Sequence, residues 1–331
     1  MVPDAQSRRG PLGLRTTPPR ESATTAAVKL ASVNVDLDEI PNYFAIHGLE
    51  ATGPGLHAVY DKALARMVDW AAAMKLPLTL FTIADDMKRP ENRAIIANAA
   101  KLGHEIASHT RDHRYDLVRL DHATMCEQVD DAARILGEVT GARPKGFRAP
   151  GYTFTDDLAR VLREVGHGYD SSVFGCPAYY TAKALVMASY VPRGRTSRSI
   201  LGEPEVLLSP RVPYRLGVPY WREGDGLPEL PIQMTPGLRI PIIGTNVTLW
   251  GEGFARKAAA ACARDALFNF ELHGIDFLDA EDGLELLRPH QPDVRVPVAA
   301  KLAALSAIVD ELKGQGRSFV RLDEATDRLF P

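Results

Sequence analysis

Short apolar runs alternate with segments of helical spacing along most of the chain. A first strand is predicted at Lys29–Asp38, and the run LPLTLFTIA predicts a second strand that is buried on both faces. Between the two, His57–Met74 carries apolar residues at helical spacing. This alternation of strand and helix predicts a parallel sheet with crossover helices.

The same alternation continues to residue 173 and resumes near the C-terminus. Helices, each followed by a short strand, are predicted at Glu91–Leu102, Ala123–Thr140, Asp156–Glu164, Phe254–Leu267 and Pro297–Lys313. Between residues 176 and 253 the alternation breaks, and the many prolines there predict an insertion of loops and short strands. So many strand and helix units in one chain favour a closed barrel over an open sheet.

Residues 1–28 differ from the rest of the chain. They are rich in Pro, Arg, Ser and Thr and show no hydrophobic period, which predicts a disordered tail. Residues 29–331 are expected to form one barrel domain with its insertion at 176–253. The chain of 331 residues is 45% hydrophobic, which suffices for one large core.

Charge and cysteine content exclude several classes of protein. The chain has 42 acidic and 39 basic residues, and this balance does not indicate nucleic-acid binding. Three cysteines without a C-x-x-C pair argue against a disulfide framework. The N-terminus shows no secretory signal pattern, and no segment reaches the roughly 18 apolar residues of a membrane span. A cytoplasmic location is therefore expected.

Two acidic residues lie at alternate positions at the end of the first predicted strand. Asp36 and Asp38, in VNVDLDE, point to the same face if the strand continues through them. Two adjacent carboxylates are unfavourable unless a cation or a shared proton compensates. The carboxyl end of a barrel strand is also where catalytic residues lie. Two exposed acids in a loop would explain this pair equally well.

Two histidines follow another predicted strand, in GHEIASHTRDH. If a helical turn begins at His109, the rings of His109 and His113 lie on one face and can share a metal. Such a pair is a weak signal alone. Together with a carboxylate such as Asp38 it describes a catalytic metal site with an open position. Two imidazoles and a carboxylate suit zinc, and cobalt, nickel or iron also fit.

Two more polar residues lie at predicted strand ends. Arg148, in GFRAPGYTF, can pair with a carboxylate through two hydrogen bonds, and Asp36 is the natural partner. The Pro-Gly that follows can aim a backbone N–H outward, as an oxyanion site needs. His273 ends the apolar strand in FELHGIDF. Taken singly, a surface arginine and a core histidine explain these residues better, so the argument rests on the combination.

Taken in order, these motifs resemble those of the polysaccharide deacetylase family, carbohydrate esterase family four, with its nodulation-factor-deacetylase-like domain. The chain has VDLD, SHTRDH, RAP and LH where the family has an Asp pair, His-x-x-x-His, Arg-x-Pro and a late Leu-His. The resemblance extends from about Ala31 to the C-terminus. It implies an α/β fold, a distorted (β/α) barrel of about seven strands with a long insertion before the last barrel strands.

The resemblance also implies a chemistry. It implies one divalent metal, with zinc the first choice, and removal of an N-acetyl group from an amino sugar or glycan by a water that the metal activates. Asp36 corresponds to the general base and His273 to the general acid. The metal ligands correspond to Asp38, His109 and His113.

Further positions receive supporting roles from the same resemblance. Arg148 would orient the general base, and the backbone N–H of Gly151 or Tyr152 would bind the oxyanion. Asp170, in GYDSSVF, would support one of these groups.

Two departures from the family pattern leave the substrate open. Leu37 separates the two aspartates, and Gly151 stands where the family has a tyrosine after Arg-x-Pro. A spaced acid pair is also found in branches similar to cyclic-imide hydrolases and to deformylases of lipid-linked amino sugars. A deformylase or a cyclic amide or imide hydrolase is therefore an alternative. An inactive sugar-binding barrel is an alternative of another class, and the complete polar set argues against it.

The insertion contains an apolar segment followed by clustered arginines. Ala178–Val191 is apolar around much of a helix, and Arg193, Arg195 and Arg198 follow. Such a segment could contact a membrane surface or bind a lipid-linked phosphate. A helix packed on the barrel and followed by a solvated loop is the simpler explanation. The expected partner is an amino-sugar or glycan substrate, free or lipid-linked.

Overall fold

The computed structural model describes Met1, residues 29–190, Pro192 and residues 199–331. The predicted tail after Met1 lies outside the described residues. Within the described part of the chain, no helix combines the length and the apolar character needed to cross a membrane.

The described residues form a nine-stranded sheet. Its strands are β1 (Leu30–Asp36), β2 (Leu78–Thr82), β3 (Glu105–Ser108), β4 (Gly146–Phe147), β5 (Tyr169–Asp170), β6 (Tyr214–Leu216), β7 (Glu223–Glu229), β8 (Leu267–His273) and β9 (Ser318–Phe319). The order across the sheet is β6-β7-β5-β4-β3-β2-β1-β8, and β9 pairs with β1. Neighbouring strands are parallel except β6 and β7, which form an antiparallel pair. The predicted parallel sheet is thus confirmed.

Helices cover the sheet and account for the burial of its central strands. They are α1 (Ile40–Ile46), α2 (Leu64–Ala73), α3 (Pro90–Lys101), α4 (His122–Thr140), α5 (Asp156–Val165), α6 (Pro177–Tyr190), α7 (Gly244–Ala261), α8 (Val298–Gly314) and α9 (Leu322–Leu329). The main core lies between α2, α7 and α8 and the strands β1, β2 and β8. Every residue of β1 is buried, as expected for a parallel strand with both faces covered.

The ends of two crossover helices follow directly from the sequence. At the start of α4, the Asp121 carboxylate accepts a hydrogen bond from the Thr124 backbone N–H, and Thr155 caps α5 in the same way. Both helices end at a glycine with positive φ, Gly141 at 85° and Gly166 at 91°. These caps set the short loops that lead into β4 and β5.

The sheet curls into a distorted half-barrel that regular strand pairing does not close. Residues 230–233 bridge the gap between β5 and β8. Leu230 N–H donates to Asp170 O at 2.9 Å, and Gln233 N–H donates to Asn269 O at 3.1 Å. The buried Asn269 side chain adds a bond of 2.7 Å from Nδ2 to Leu230 O. The predicted distorted barrel is therefore confirmed, with an irregular segment in place of a closing strand pair.

Some helices and strands begin at other residues than the sequence predicted. The insertion predicted at 176–253 contains α6, β6, β7 and the first residues of α7, which begins at Gly244 rather than at Phe254. Gly251 adopts φ 72° and ψ −171° inside α7 and kinks it, so the two helical pieces do not share one hydrophobic period. Arg193, Arg195 and Arg198, predicted to form a basic cluster after α6, lie outside the described residues.

Candidate metal and catalytic site

The carboxyl ends of β1, β3, β4 and β8 meet at one edge of the sheet, where the predicted site residues gather. In the pairing of β1 with β8, Asp36 lies directly opposite His273. In the pairing of β3 with β4, Ser108 lies opposite Phe147, so that His109 and Arg148 leave the sheet side by side. Parallel pairing thus brings residues from distant parts of the chain to the same edge.

Asp38, His109 and His113 converge on one point. Asp38 Oδ1 lies 3.3 Å from His109 Nε2 and 3.1 Å from His113 Nε2. By distance alone these contacts resemble hydrogen bonds, but within the described part of the chain Asp38 Oδ1 and both ring nitrogens of His113 have no bond of acceptable geometry. All three side chains are buried. Unpaired buried polar atoms are costly. A metal ion bound between these three side chains would compensate that cost, because each can donate one ligand atom.

The loop after β3 brings the two histidines together without a helical turn, which corrects the prediction made from their spacing. Thr110 and His113 both adopt positive φ, 68° and 56°. His113 N–H donates to Thr110 Oγ1 at 3.1 Å, and the two imidazole rings have centroids 4.9 Å apart. Left-handed backbone at residues other than glycine is strained, and such strain is concentrated at functional sites.

A backbone carbonyl oxygen fixes the orientation of the His109 ring. Its Nδ1 lies 2.8 Å from the backbone carbonyl oxygen of Arg148, so a proton on Nδ1 is donated there and Nε2 is left for Asp38 and a metal. Burial alone would raise the pKa of Asp38, but the close positive charges of His113 and His109 outweigh it. The pKa of Asp38 is lowered well below its usual value, which keeps it ionised as a ligand requires.

This donor set fits a divalent metal of the kind predicted. Two imidazole nitrogens and one carboxylate oxygen suit zinc, cobalt, nickel or iron. Asp36, Glu271 and His273 form another group of potential ligand atoms within 4.8 Å of one another. The Arg148 guanidinium lies 2.6 Å from Asp36 and would repel a cation there. The charges therefore favour Asp38, His109 and His113 as the metal site over the group that contains Asp36.

Asp36 lies buried between Arg148 and the histidines. Its Oδ1 accepts a bond of 2.6 Å from Arg148 Nη1, and its Oδ2 lies 4.0 Å from His109 Nε2. The two-bond pairing predicted for Arg148 does not form, because Nε and Nη2 donate instead to Ser171 O and Ser171 Oγ, each at 2.8 Å. The guanidinium also lies 4.0 Å from the centroid of the Phe81 ring. Arg148 thus holds one carboxylate oxygen of Asp36 and leaves the other free.

His273 shares its end of β8 with an acid that the motif comparison missed. Glu271 is completely buried, and its Oε1 lies 2.8 Å from His273 Nδ1. Burial alone would lower the pKa of His273, but the nearby Glu271 carboxylate, with further help from Asp36 and Asp38, raises that pKa well above its usual value. This shift favours the protonated form of His273. The spacing in FELH carries the missed signal, because residues two apart on a strand share a face.

The two backbone N–H groups predicted for the oxyanion site differ. Tyr152 N–H donates to Ala149 O at 3.1 Å and is therefore occupied, which corrects that half of the prediction. Gly151 adopts φ 62° and lines the cavity, and no hydrogen bond among the described residues uses its N–H. A tyrosine at the position of Gly151 would strain the turn, which explains why glycine stands here.

Asp170 supports the loop beneath the site rather than a site residue directly. Its carboxylate accepts bonds from Ser172 N–H at 2.9 Å and from Ser172 Oγ at 2.7 Å. Ser172 Oγ in turn accepts from the Ala149 backbone N–H at 2.8 Å, next to Arg148. Burial raises the pKa of the neighbouring Glu229 carboxyl well above its usual value. Through Ser172, Asp170 therefore anchors the segment from which Arg148 extends.

The site opens into a cavity of about 450 Å³. Asp36, Asp38, His109 and His273 lie in its wall. Helix α6 of the insertion also lines the cavity, through Tyr179, Ala182, Lys183, Val186 and Met187. Sequence reasoning placed this helix near a membrane or on the barrel surface, and no motif indicated that it would cover the site.

Part of the chain is similar to known proteins. Residues 53–169 match the profile of the family described as polysaccharide deacetylase. Over 92 residues the chain is 36% identical to the peptidoglycan deacetylase-like protein FGM2 of Gibberella zeae, covering 27% of this chain and 26% of that protein. The chain therefore spans about a quarter of the length of this curated relative.

Similar folds are found among solved structures. The allantoinase Puue matches over 98% of this chain and 97% of its own, with a TM-score of 0.55 and 19% identity. The Xyl-CE4 domain of a xylanase from the hindgut metagenome of Trinervitermes trinervoides matches over 91% of both chains, with a TM-score of 0.48 and 14% identity. At 19% identity, the similarity to the allantoinase Puue concerns the fold alone. On the profile match and the ordered motifs, residues 53–169 are similar to the polysaccharide deacetylase family.

Proposed function

We propose that the protein is a metal-dependent amide hydrolase that removes an N-acetyl group from an amino sugar. The observation that carries this proposal is the register of β1 with β8. It places Asp36 directly opposite His273. A general base and a general acid thus lie side by side, next to three converging metal-ligand atoms.

Asp38, His109 and His113 would hold the metal. A divalent cation there supplies Lewis-acid chemistry, polarising the carbonyl oxygen and lowering the pKa of water. The chain's own contribution begins with Asp36, whose free Oδ2 faces this group and accepts the proton of the attacking water. Arg148 fixes the other oxygen, so Asp36 cannot rotate away.

His273 completes the reaction as the general acid. An amide nitrogen leaves only when it is protonated, and the raised pKa of His273 keeps a proton available at neutral pH. The Glu271 carboxylate lies 2.8 Å from Nδ1, so we assign the transferred proton to Nε2. The Gly151 N–H, which lines the same cavity, can donate to the oxygen that becomes negative during attack.

The identity of the acyl group can be read from its product. We expect the zinc-loaded protein to release acetate, together with a free amine, from N-acetylated amino sugars. Parallel assays with N-formylated amino sugars and with a cyclic imide test the two alternatives in the hydrolase class. The matched negative control is His113→Ala, which removes a proposed ligand. Formate release without acetate release would replace the deacetylase with a deformylase, and no hydrolysis of any amide would refute the reaction class.

The pH profile tests the pairing of Glu271 with His273. His273 acts as an acid only while protonated, so activity is lost as the pH rises through its pKa. Because the Glu271 carboxylate raises that pKa, Glu271→Gln should move the alkaline limb of the kcat/KM profile to lower pH. The control is Glu252→Gln, which changes an exposed glutamate on α7. An alkaline limb that stays at the wild-type position would contradict the assigned role of Glu271.

A further inference from the structure

Lys183, on α6, lines the same cavity as the proposed catalytic residues. Of the cavity-lining residues that the structure describes, it is the sole lysine or arginine. Its Nζ donates to the backbone oxygen of Gly151 at 3.1 Å and lies 5.6 Å from the centroid of the Tyr179 ring. No carboxylate of the described residues lies within ion-pair distance of this ammonium group. The positive charge of Lys183 is thus left for something that enters the cavity.

Lys183 is half-buried, so its ammonium group is partly removed from water. Burial lowers the pKa of Lys183 to about 8, so the group remains mostly charged at neutral pH. An ammonium has three N–H donors, and the bond to Gly151 uses one of them. Two donors therefore remain. Desolvating a charge is costly unless it is paired, which favours an anionic ligand over a neutral one.

The position of Lys183 relative to Gly151 determines where such an anion would lie. Lys183 Nζ lies 3.3 Å from the position that a Cβ atom on Gly151 would occupy. Gly151 is also the residue whose N–H is proposed to bind the oxyanion. A group bound by Lys183 would therefore lie close to the acyl group that reacts.

The rest of the cavity indicates a compact substrate. Its volume of about 450 Å³ lies within the range of roughly 300 to 1,000 Å³ typical of small-molecule sites. Much of its wall is apolar, with Ile46, Val186, Met187, Ile243, Ile275 and Pro292. Resting on the proposed function, we propose that Lys183 binds a carboxylate or phosphate group of a compact N-acylated substrate and selects it over neutral analogues.

Three probes separate the two sources of negative charge. N-acetylmuramic acid carries a carboxylate, N-acetylglucosamine 6-phosphate carries a phosphate, and N-acetylglucosamine is neutral. Lys183→Met removes the charge and keeps an unbranched side chain against Tyr179, whereas Lys183→Arg keeps the charge. Lys257→Met, at an exposed lysine on α7, is the matched control. KM and kcat are measured for each probe, and equilibrium binding is measured by calorimetry on the zinc-loaded proteins.

We expect Lys183→Met to raise KM and Kd for one anionic probe by about 10-fold to 100-fold, the loss expected for a charged hydrogen bond. The neutral probe should be unaffected, and Lys183→Arg should retain most of the affinity. The probe that is affected identifies the anion as carboxylate or phosphate. Equal changes for all three probes would make Lys183 a structural tie to Gly151 and overturn the proposal. Wild-type protein that binds neither anionic probe more tightly than the neutral one would overturn it too.

The binding measurement separates this proposal from the proposed reaction. If no probe is hydrolysed but Lys183→Met still weakens binding of an anionic probe alone, the deacetylase assignment fails and the role of Lys183 stands. If all probes are hydrolysed with identical KM values in wild type and Lys183→Met, the reaction stands and the role of Lys183 fails.

Discussion

Asp36→Asn should lower kcat by roughly two to four orders of magnitude while the metal content stays at the wild-type level. Asparagine keeps the shape of the side chain and can still accept the bond from Arg148, but it cannot take a proton from water. Asp36 is not among the three converging ligands, so its loss as a base leaves the donor set intact. Turnover and metal content, measured by elemental analysis on the same preparation, test this result.

Two comparisons make the Asp36 result interpretable. Asp69→Asn changes an exposed aspartate on α2 and should leave both turnover and metal content unchanged. Asp38→Asn removes a proposed ligand and should lower the metal content as well as the rate. Equal metal loss in the Asp36 and Asp38 variants would mean that the roles of base and ligand are wrongly assigned.

His113→Ala should abolish both metal binding and turnover while the protein stays folded. The imidazole lies in the loop after β3, where both ring nitrogens lack a hydrogen bond to any described residue, so its removal breaks no such bond. A site with only Asp38 and His109 offers too few ligands for tight binding. Metal analysis, circular dichroism and the melting temperature together test the prediction.

A surface histidine provides the control for His113. The exposed residues His122 and Glu164 and the half-buried Cys126 form a group whose potential ligand atoms also lie within 4.8 Å of one another. His122→Ala removes that group and should leave turnover unchanged, whatever metal the surface binds. Full turnover in His113→Ala with wild-type metal content would disprove the metal assignment. An unfolded His113→Ala would be resolved by His113→Gln, which keeps a polar side chain of similar length and should still lose turnover.

The sequence by itself determined the class of fold and most of the polar residues of the site. Apolar runs and helical spacing depend on local geometry, so they predicted the parallel sheet and its crossover helices. Asp36, Asp38, His109, His113 and His273 could be selected because each follows an apolar strand within a recognisable motif. The carboxyl ends of parallel strands necessarily meet at one edge.

The conformation of the loops at the site was decided only by the tertiary structure. Spacing of four residues suggested a helical turn for the histidine pair, but left-handed backbone at Thr110 and His113 brings the rings together instead. The availability of the oxyanion donors was also decided by loop conformation. The turn at Ala149 uses the N–H of Tyr152 in a hydrogen bond and leaves the N–H of Gly151 available to a substrate. Backbone conformations of this kind are held by contacts with other segments, which no local pattern contains.

The partners of the site residues were likewise decided by the packing of distant segments. Asp36 and His273 are adjacent because β1 pairs with β8, and those strands are separated by most of the chain. Lys183 is the clearest example of a residue whose position in the site could not be predicted from the sequence. Its helix has no strong amphipathic pattern, and only the packing of α6 across the carboxyl edge brings an ammonium group into the cavity. Side-chain burial and charge pairing arise from such long-range contacts, so their roles become visible only when the chain is folded.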